Sequence, residues 1–161
     1  MDIRKHSFEY QSYPDSTTLP AADQKLLEEA RDVTAQAYAP YSNFYVGAMI
    51  LLANGVTVPG TNQENASFPA GICAERTALS AAASLYPGVP ILSIAISYNN
   101  PNGKSDTPIS PCGICRQSLT EYEGRQQHPI RVILGGQTGK VFVIQTARHL
   151  LPLVFSAEDM Q

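Results

Sequence analysis

No block of lysine or arginine occurs anywhere in this chain of 161 residues, whose 11 basic and 14 acidic side chains leave a formal charge of -3. A protein that grips polynucleotide needs clustered Lys and Arg to replace the counterions it displaces, so no nucleic-acid substrate is expected. Long apolar runs are missing too: the longest are strand-length, and no membrane span is expected. Met1-Asp2-Ile3-Arg4-Lys5-His6 has no apolar stretch behind it and does not read as a signal peptide. A cytoplasmic protein without a membrane partner is the expectation. Cysteine is scarce: three is an odd number for a disulfide framework, and in a reducing compartment it suits thiolate ligands or buried thiols. Without a secretory signal, the sequon Asn65-Ala66-Ser67 reads as a chance match. Neither an internal repeat nor a low-complexity tract is present, and 161 residues suffice for one core but not for two.

What is there reads as a polar N-terminal arm, residues 1–20, followed by a single domain, residues 21–161. In the arm, Phe8 and Tyr10 alternate with polar residues, the pattern of a short strand or a docked extension. From 21 to 38, Leu26, Ala30, Val33 and Ala37 recur at spacings of four, three and four, one face of an amphipathic helix that Pro40 ends. Two apolar runs, 44–52 and 56–58, flank Asn54-Gly55, a strong hairpin signal. A helix is expected over 73–85, closed by Pro87-Gly88, then a buried strand over 91–96. After a polar loop, 99–111, come a helix over 112–122, strands at 130–134 and 140–144, and a short final helix capped by Thr146 and ended by Pro152. Helices alternating with central strands imply right-handed crossovers and a parallel pair. The expected fold class is therefore α/β: a three-layer α/β/α sandwich around a mixed five-stranded sheet.

All three cysteines fall at expected helix starts, Cys73 on one helix and Cys112 and Cys115 on another. A helix N-terminus carries partial positive charge and free N–H groups, which favour thiolate. Three thiolates suit zinc and leave the fourth tetrahedral position to water. Taken alone, Cys112-Gly113-Ile114-Cys115 fits a redox dithiol as well as a zinc pair. A closed structural zinc site would need a fourth ligand, and His6, His128 and His149 stand at no ligand spacing. Glu75 decides between these readings. Two residues after Cys73, its carboxylate reaches a metal-bound water and can carry protons from it to a substrate. The compound pattern Cys73-Ala74-Glu75 with Pro111-Cys112-Gly113-Ile114-Cys115 matches the signature of zinc deaminases, in which the glutamate is not a ligand.

The residues around these motifs resemble the homotetrameric, three-cysteine type of cytidine deaminase. The resemblance rests on Pro40-Tyr41-Ser42-Asn43-Phe44-Tyr45-Val46-Gly47-Ala48, on Asn62-Gln63-Glu64-Asn65-Ala66-Ser67-Phe68-Pro69, on Cys73-Ala74-Glu75-Arg76-Thr77-Ala78, on Pro111 to Gln117 and on Leu150 to Phe155. It covers about residues 22–160. It implies one Zn²⁺ per chain on Cys73, Cys112 and Cys115, with Glu75 carrying the proton to ring N3 and then to the departing amine. It implies hydrolytic deamination of cytidine and 2′-deoxycytidine in pyrimidine salvage, by a homotetramer with shared active sites. Asn62 and Glu64 would meet the ribose 3′-hydroxyl, while Gln63, Asn65, Ala66, Ser67 and Phe68 line the pocket and its subunit boundary. Phe44 would flank the pyrimidine, the backbone at Ala74 meet the base edge, and Phe155 stack on the base of a neighbouring subunit. Phe68 departs from the tyrosine of many members, so any contact by that hydroxyl is lost. Arg76 has a physical case of its own: three thiolates on Zn²⁺ leave the site at net charge -1, which a guanidinium donating to sulfur would offset. Arg116 either shares that task or pairs on the surface. Two rivals remain, a deaminase of another aminopyrimidine nucleoside and, from another class, a non-enzymatic zinc-stabilised binding module. The retained Asn62, Glu64 and Arg76 speak against the first and Glu75 against the second.

Overall fold

Alternating apolar residues along the central strands divide the interior into two cores, as strand periodicity requires. Ile94, Ile96, Val132 and Leu134 face one way and join Ala74, Ala78, Leu79 and Leu119. Met49, Ala95, Ile133 and Val143 face the other way and meet Leu26, Leu27 and Ala30. Between the two lies one sheet, so the layers are helix, sheet, helix, as expected. The structure is a computed structural model that describes residues 1–160; Gln161, the last residue of the expected domain, lies outside them.

In chain order the elements are β1 (Gln11–Tyr13), α1 (Ala21–Asp32), β2 (Tyr45–Leu52), β3 (Thr57–Thr61), α2 (Ala74–Leu85), β4 (Ile91–Asn99), α3 (Gly113–Gln126), β5 (Arg131–Gly135) and β6 (Val141–Ile144). The sheet order is β1-β6-β5-β4-β2-β3. Only β4 and β5, joined through α3, run parallel; the β2–β3 hairpin turns at Asn54-Gly55, where Gly55 takes φ 83.

Two expectations need correction. The sheet has six strands, not five: Gln11–Tyr13, in the arm, pairs antiparallel with β6. Leu19, also in the arm, is buried in the core beneath α1, so the arm is fastened along the sheet edge. The closing turn, Ala147–Leu150, is a 3-10 turn, and Thr146 does not cap it with its side chain. The buried Glu123 of α3 does so instead, its carboxylate accepting from the Ala147 N–H at 2.8 Å and the Arg148 N–H at 3.1 Å. Thr146 donates its hydroxyl to the same carboxylate.

The face that carries α2 depends on one glycine. A Cβ at Gly60 of β3 would lie 2.3 Å from the Ala78 nitrogen and 2.4 Å from the Ala74 oxygen, both backbone atoms of α2. Nothing flexible can yield there. We expect Gly60→Ala to destabilise the zinc-loaded protein by about 1–3 kcal/mol, the usual range for overpacking, in urea denaturation. Gly124→Ala, whose Cβ meets nothing within 4 Å on α3, should stabilise by about 0.5–1 kcal/mol. Equal effects at the two positions would refute the close approach.

Candidate active site

Cys73 is the N-cap of α2 and Cys112 the N-cap of α3, with Cys115 in the first turn of α3. Because α2 and α3 lie on the same sheet face with these ends together, the three sulfurs fall within 4.8 Å of one another. The Cys73 and Cys112 sulfurs are 3.8 Å apart, and those of Cys112 and Cys115 are 3.5 Å apart. Zinc–sulfur bonds of about 2.3 Å in tetrahedral geometry place sulfurs about 3.8 Å apart, so the triad fits zinc. Among the described residues no other group of His, Cys, Asp or Glu approaches this arrangement. The thiols share protons: the hydrogen bond from Cys115 lowers Cys73 to about 6, and the same interaction with burial pushes Cys115 up. A metal that takes all three as thiolates displaces those protons.

Glu75 follows in the first turn of α2 and is only 5% exposed. Burial raises its carboxyl above the ordinary range, while interaction with the Cys115 thiol pulls the other way. A carboxyl beside the sulfurs and shielded from water is suited to hold and release a proton. Ala74 is fully buried between them. Arg76 acts on Cys73 through its charge, as the smallest of the downward influences. The hydrogen bonds of the sulfurs run among the cysteines themselves, and the expected donation from Arg76 is not one of them.

The segment 62–68 reaches this site through backbone pairing. Gln63 and Ile72 exchange two backbone hydrogen bonds of 3.0 Å, and Ile72 immediately precedes Cys73. Asn62 spends its amide on the chain: its oxygen accepts from the Val46 N–H at 2.7 Å and its nitrogen donates to the Phe44 carbonyl at 2.9 Å. That brace holds Phe44, whose ring stacks on Tyr98 at 5.0 Å. The Glu64 carboxylate accepts from the Ser42 hydroxyl at 2.5 Å and the Tyr41 N–H at 2.8 Å; these bonds, the Ser42 one foremost, hold its carboxyl below the usual range. Glu64, Asn65 and Phe68 line a cavity of about 350 Å³ with Tyr41, Ser42 and Gly71. Phe68 is 74% exposed and meets Tyr41 edge to face. The exposed Asn65 accepts from the Ser67 N–H two residues on, and Ala66 is exposed.

Phe155 stands apart from these residues. It lines a different cavity, about 310 Å³, with Thr120, Gly124 and Arg148, a set that includes none of the cysteines. Among the described residues Arg116 makes no surface salt bridge; its guanidinium donates to the carbonyls of Pro111 and Leu150. Glu123 and Arg116 were missed as organising residues because their partners lie 24 and 34 positions away.

With this geometry in hand, comparison places the chain. A family model described as cytidine and deoxycytidylate deaminase zinc-binding region matches residues 20–127. The chain belongs to the cytidine and deoxycytidylate deaminase family, and zinc is the cofactor of that region. Among curated relatives, it is 39% identical over 137 residues to the cytidine deaminase of Halalkalibacterium halodurans, covering 85% of this chain and 96% of that one. It is 36% identical to the cytidine deaminase of Sporosarcina psychrophila, covering 85% and 93%. The crystal structure of the Burkholderia pseudomallei cytidine deaminase superposes with a TM-score of 0.70 at 39% identity, covering 81% of this chain and 97% of that one. The Mycobacterium tuberculosis cytidine deaminase gives 0.63 at 30% identity, covering 81% and 94%. Among the described residues, no helix is long and apolar enough to cross a membrane.

Metal analysis of the purified protein should find one zinc per chain, and Cys73→Ser should lower occupancy sharply. Two equivalents per chain, or full occupancy in the variant, would contradict the three-sulfur site.

Proposed function

We propose that this chain is a zinc-dependent hydrolase that converts cytidine and 2′-deoxycytidine, with water, to uridine and 2′-deoxyuridine plus ammonia. The observation that supports it best is the combination of three convergent sulfurs with a buried carboxyl two residues along the same helix start. A triad of protein ligands leaves a position for water, which a closed structural site does not. When bound, zinc supplies a Lewis acid that makes water nucleophilic near neutral pH.

The chain's own residues do the rest. Glu75 takes a proton as water adds at C4 of the pyrimidine and delivers it to N3, then takes the proton of the new C4 hydroxyl and passes it to the departing amine. Its burial, which favours the neutral carboxyl, assists the proton uptake that precedes each delivery. Asn62 and Glu64 recognise the ribose 3′-hydroxyl from the brace that already orients them, while Gln63, Asn65, Ala66, Ser67 and Phe68 shape the sugar side and Phe44 flanks the ring. Arg76 offsets the negative charge of the thiolates. In this reading the arm, residues 1–20, is an accessory to the one catalytic domain that follows. The protein works in the reducing cytoplasm, where thiols stay free for metal, in nucleoside salvage.

Glu75→Ala should retain zinc and fold yet lose roughly 10²–10⁴-fold in kcat, the usual contribution of positioned proton transfer. Ammonia release across a panel should favour cytidine and 2′-deoxycytidine over free cytosine and 3′-deoxycytidine. Near wild-type turnover by the variant, or equal efficiency on free cytosine, would overturn the assignment.

We further propose a homotetramer in which Phe155 stacks on the pyrimidine in a neighbour's site. The ring, 59% exposed and lining a cavity that includes none of its own cysteines, supports this, as does the exposure of Ile114 between two ligands. Stacking on an aromatic contributes about 1–3 kcal/mol in nucleic-acid binding proteins, so Phe155→Ala should weaken substrate use roughly ten- to a hundredfold. Mixed oligomers of Glu75→Ala and Phe155→Ala chains should regain activity. A fully active monomer in sedimentation at assay concentration would exclude the trans role.

A further inference from the structure

Arg116 and Gln117 follow Cys115 directly, and both reach the C-terminal segment. From Arg116, Nε donates to the Pro111 carbonyl at 2.8 Å and a terminal nitrogen donates to the Leu150 carbonyl at 2.9 Å. Gln117 Nε2 donates to the Phe155 carbonyl at 2.8 Å. One pair of neighbours on α3 thus grips the chain at both ends of the six-residue span 150–155. Between the two grips, Leu153 projects into solvent and takes φ 55, a left-handed conformation that a non-glycine residue keeps only where surrounding contacts impose it. Leu153 itself is fully exposed and buries nothing that would impose it, so the restraint comes from the bonds on either side. Upstream, the 3-10 turn that delivers Leu150 is anchored to the same helix by Glu123.

We infer that Arg116 and Gln117 form a latch that holds residues 151–155 against the metal-binding helix, and that they act as positioning residues for the base pocket to which Phe155 contributes. The inference rests on the reading of Phe155 given above. Pro111, Cys112, Cys115 and Arg116 share one helical start, so the order of the sulfurs and the order of the tail are tied through the Arg116 guanidinium. The latch presents Phe155 in one place and reduces the conformational freedom that would otherwise be lost on binding.

Hydrogen exchange of the zinc-loaded protein, without substrate, reads the latch directly. Gln117→Leu keeps the side-chain volume and removes the donor. Exchange in the segment 151–156 should rise about three- to tenfold, the range one hydrogen bond spans, with zinc content unchanged. KM for cytidine should rise by a similar factor while kcat stays within about twofold. Arg116→Lys, which keeps the charge but not the two-carbonyl fork, should show the same pattern more strongly. Unchanged exchange in both variants overturns the latch. A loosened segment with unchanged KM, in a protein where Phe155→Ala does raise KM, overturns the positioning role. If Phe155→Ala leaves KM unmoved, the reading of Phe155 fails instead, and the exchange measurement alone then judges the latch.

Discussion

Two helix N-termini that meet on one face of a sheet are the constraint on which the rest of this molecule depends. A thiol at a single helix start is only a somewhat acidic cysteine; the sulfurs become a metal centre because α2 and α3 arrive side by side. That arrival is built from contacts well away from the sulfurs. Gly60 lets the backbone of α2 descend onto β3, and the Tyr122 hydroxyl of α3 donates to the Leu79 carbonyl of α2. Leu119 fills the space beneath both helices. A shift of one ångström in either helix would move sulfurs now separated by 3.5 and 3.8 Å out of reach of a common ion.

The same economy governs the segment expected to meet the ribose. Asn62 and Glu64 are not loose polar side chains waiting for a sugar. Asn62 ties β3's end to the start of β2, and Glu64 ties the loop before β2 to the chain that leads into Cys73. An amide oxygen has two lone pairs and a carboxylate about four acceptor sites, so both retain capacity for a hydroxyl after making these bonds. Side chains already held by the chain lose little freedom when a ligand arrives. The hydroxyl of Ser42 and the N–H of Tyr41 keep Glu64 ionised to lower pH than an isolated carboxyl, and therefore an acceptor for a sugar hydroxyl.

How much of this was legible in the sequence depends on how far apart the cooperating residues stand. The α/β class, the hairpin at Asn54-Gly55 and the helix starts at Cys73 and Cys112 rest on periodicity and turn chemistry within a dozen residues, and the structure agrees with all three. The triad of sulfurs was legible because a chemical requirement, three soft ligands and a proton carrier, links positions that periodicity cannot. The sixth strand was legible only as the alternation of Phe8 and Tyr10 in the arm: Gln11-Ser12-Tyr13 itself has little to bury, and its pairing is decided by the vacant edge of β6. Thr146 had the right residue type for a cap, but a carboxylate from α3 outcompeted it. Arg116 was expected to serve the thiolates' electrostatics or to pair on the surface, and its bonds to the Pro111 and Leu150 carbonyls were not legible because Leu150 lies 34 positions away.

The arm bears on a further question, what becomes of an open sheet edge. The family model, which matches residues 20–127, leaves the function of residues 1–19 to be argued from contacts alone. Those contacts lie along β6 and the turn after it: Tyr10 packs on Phe142 at 4.8 Å and Phe8 on His149 at 5.7 Å. Arg31 binds the arm from the α1 side through the Ser16 hydroxyl, while donating to the Gly136 carbonyl in the turn before β6. An uncovered β6 would offer a row of unpaired N–H and C=O groups to any other chain. A three-residue strand is short enough to be a poor template itself, yet long enough to occupy that row. His149 stands one residue before the carbonyl that Arg116 grips, so the arm also steadies the root of the segment that carries Phe155. The edge cover and the latch therefore act on adjoining stretches of chain, the arm at His149 and the latch from Leu150 onward.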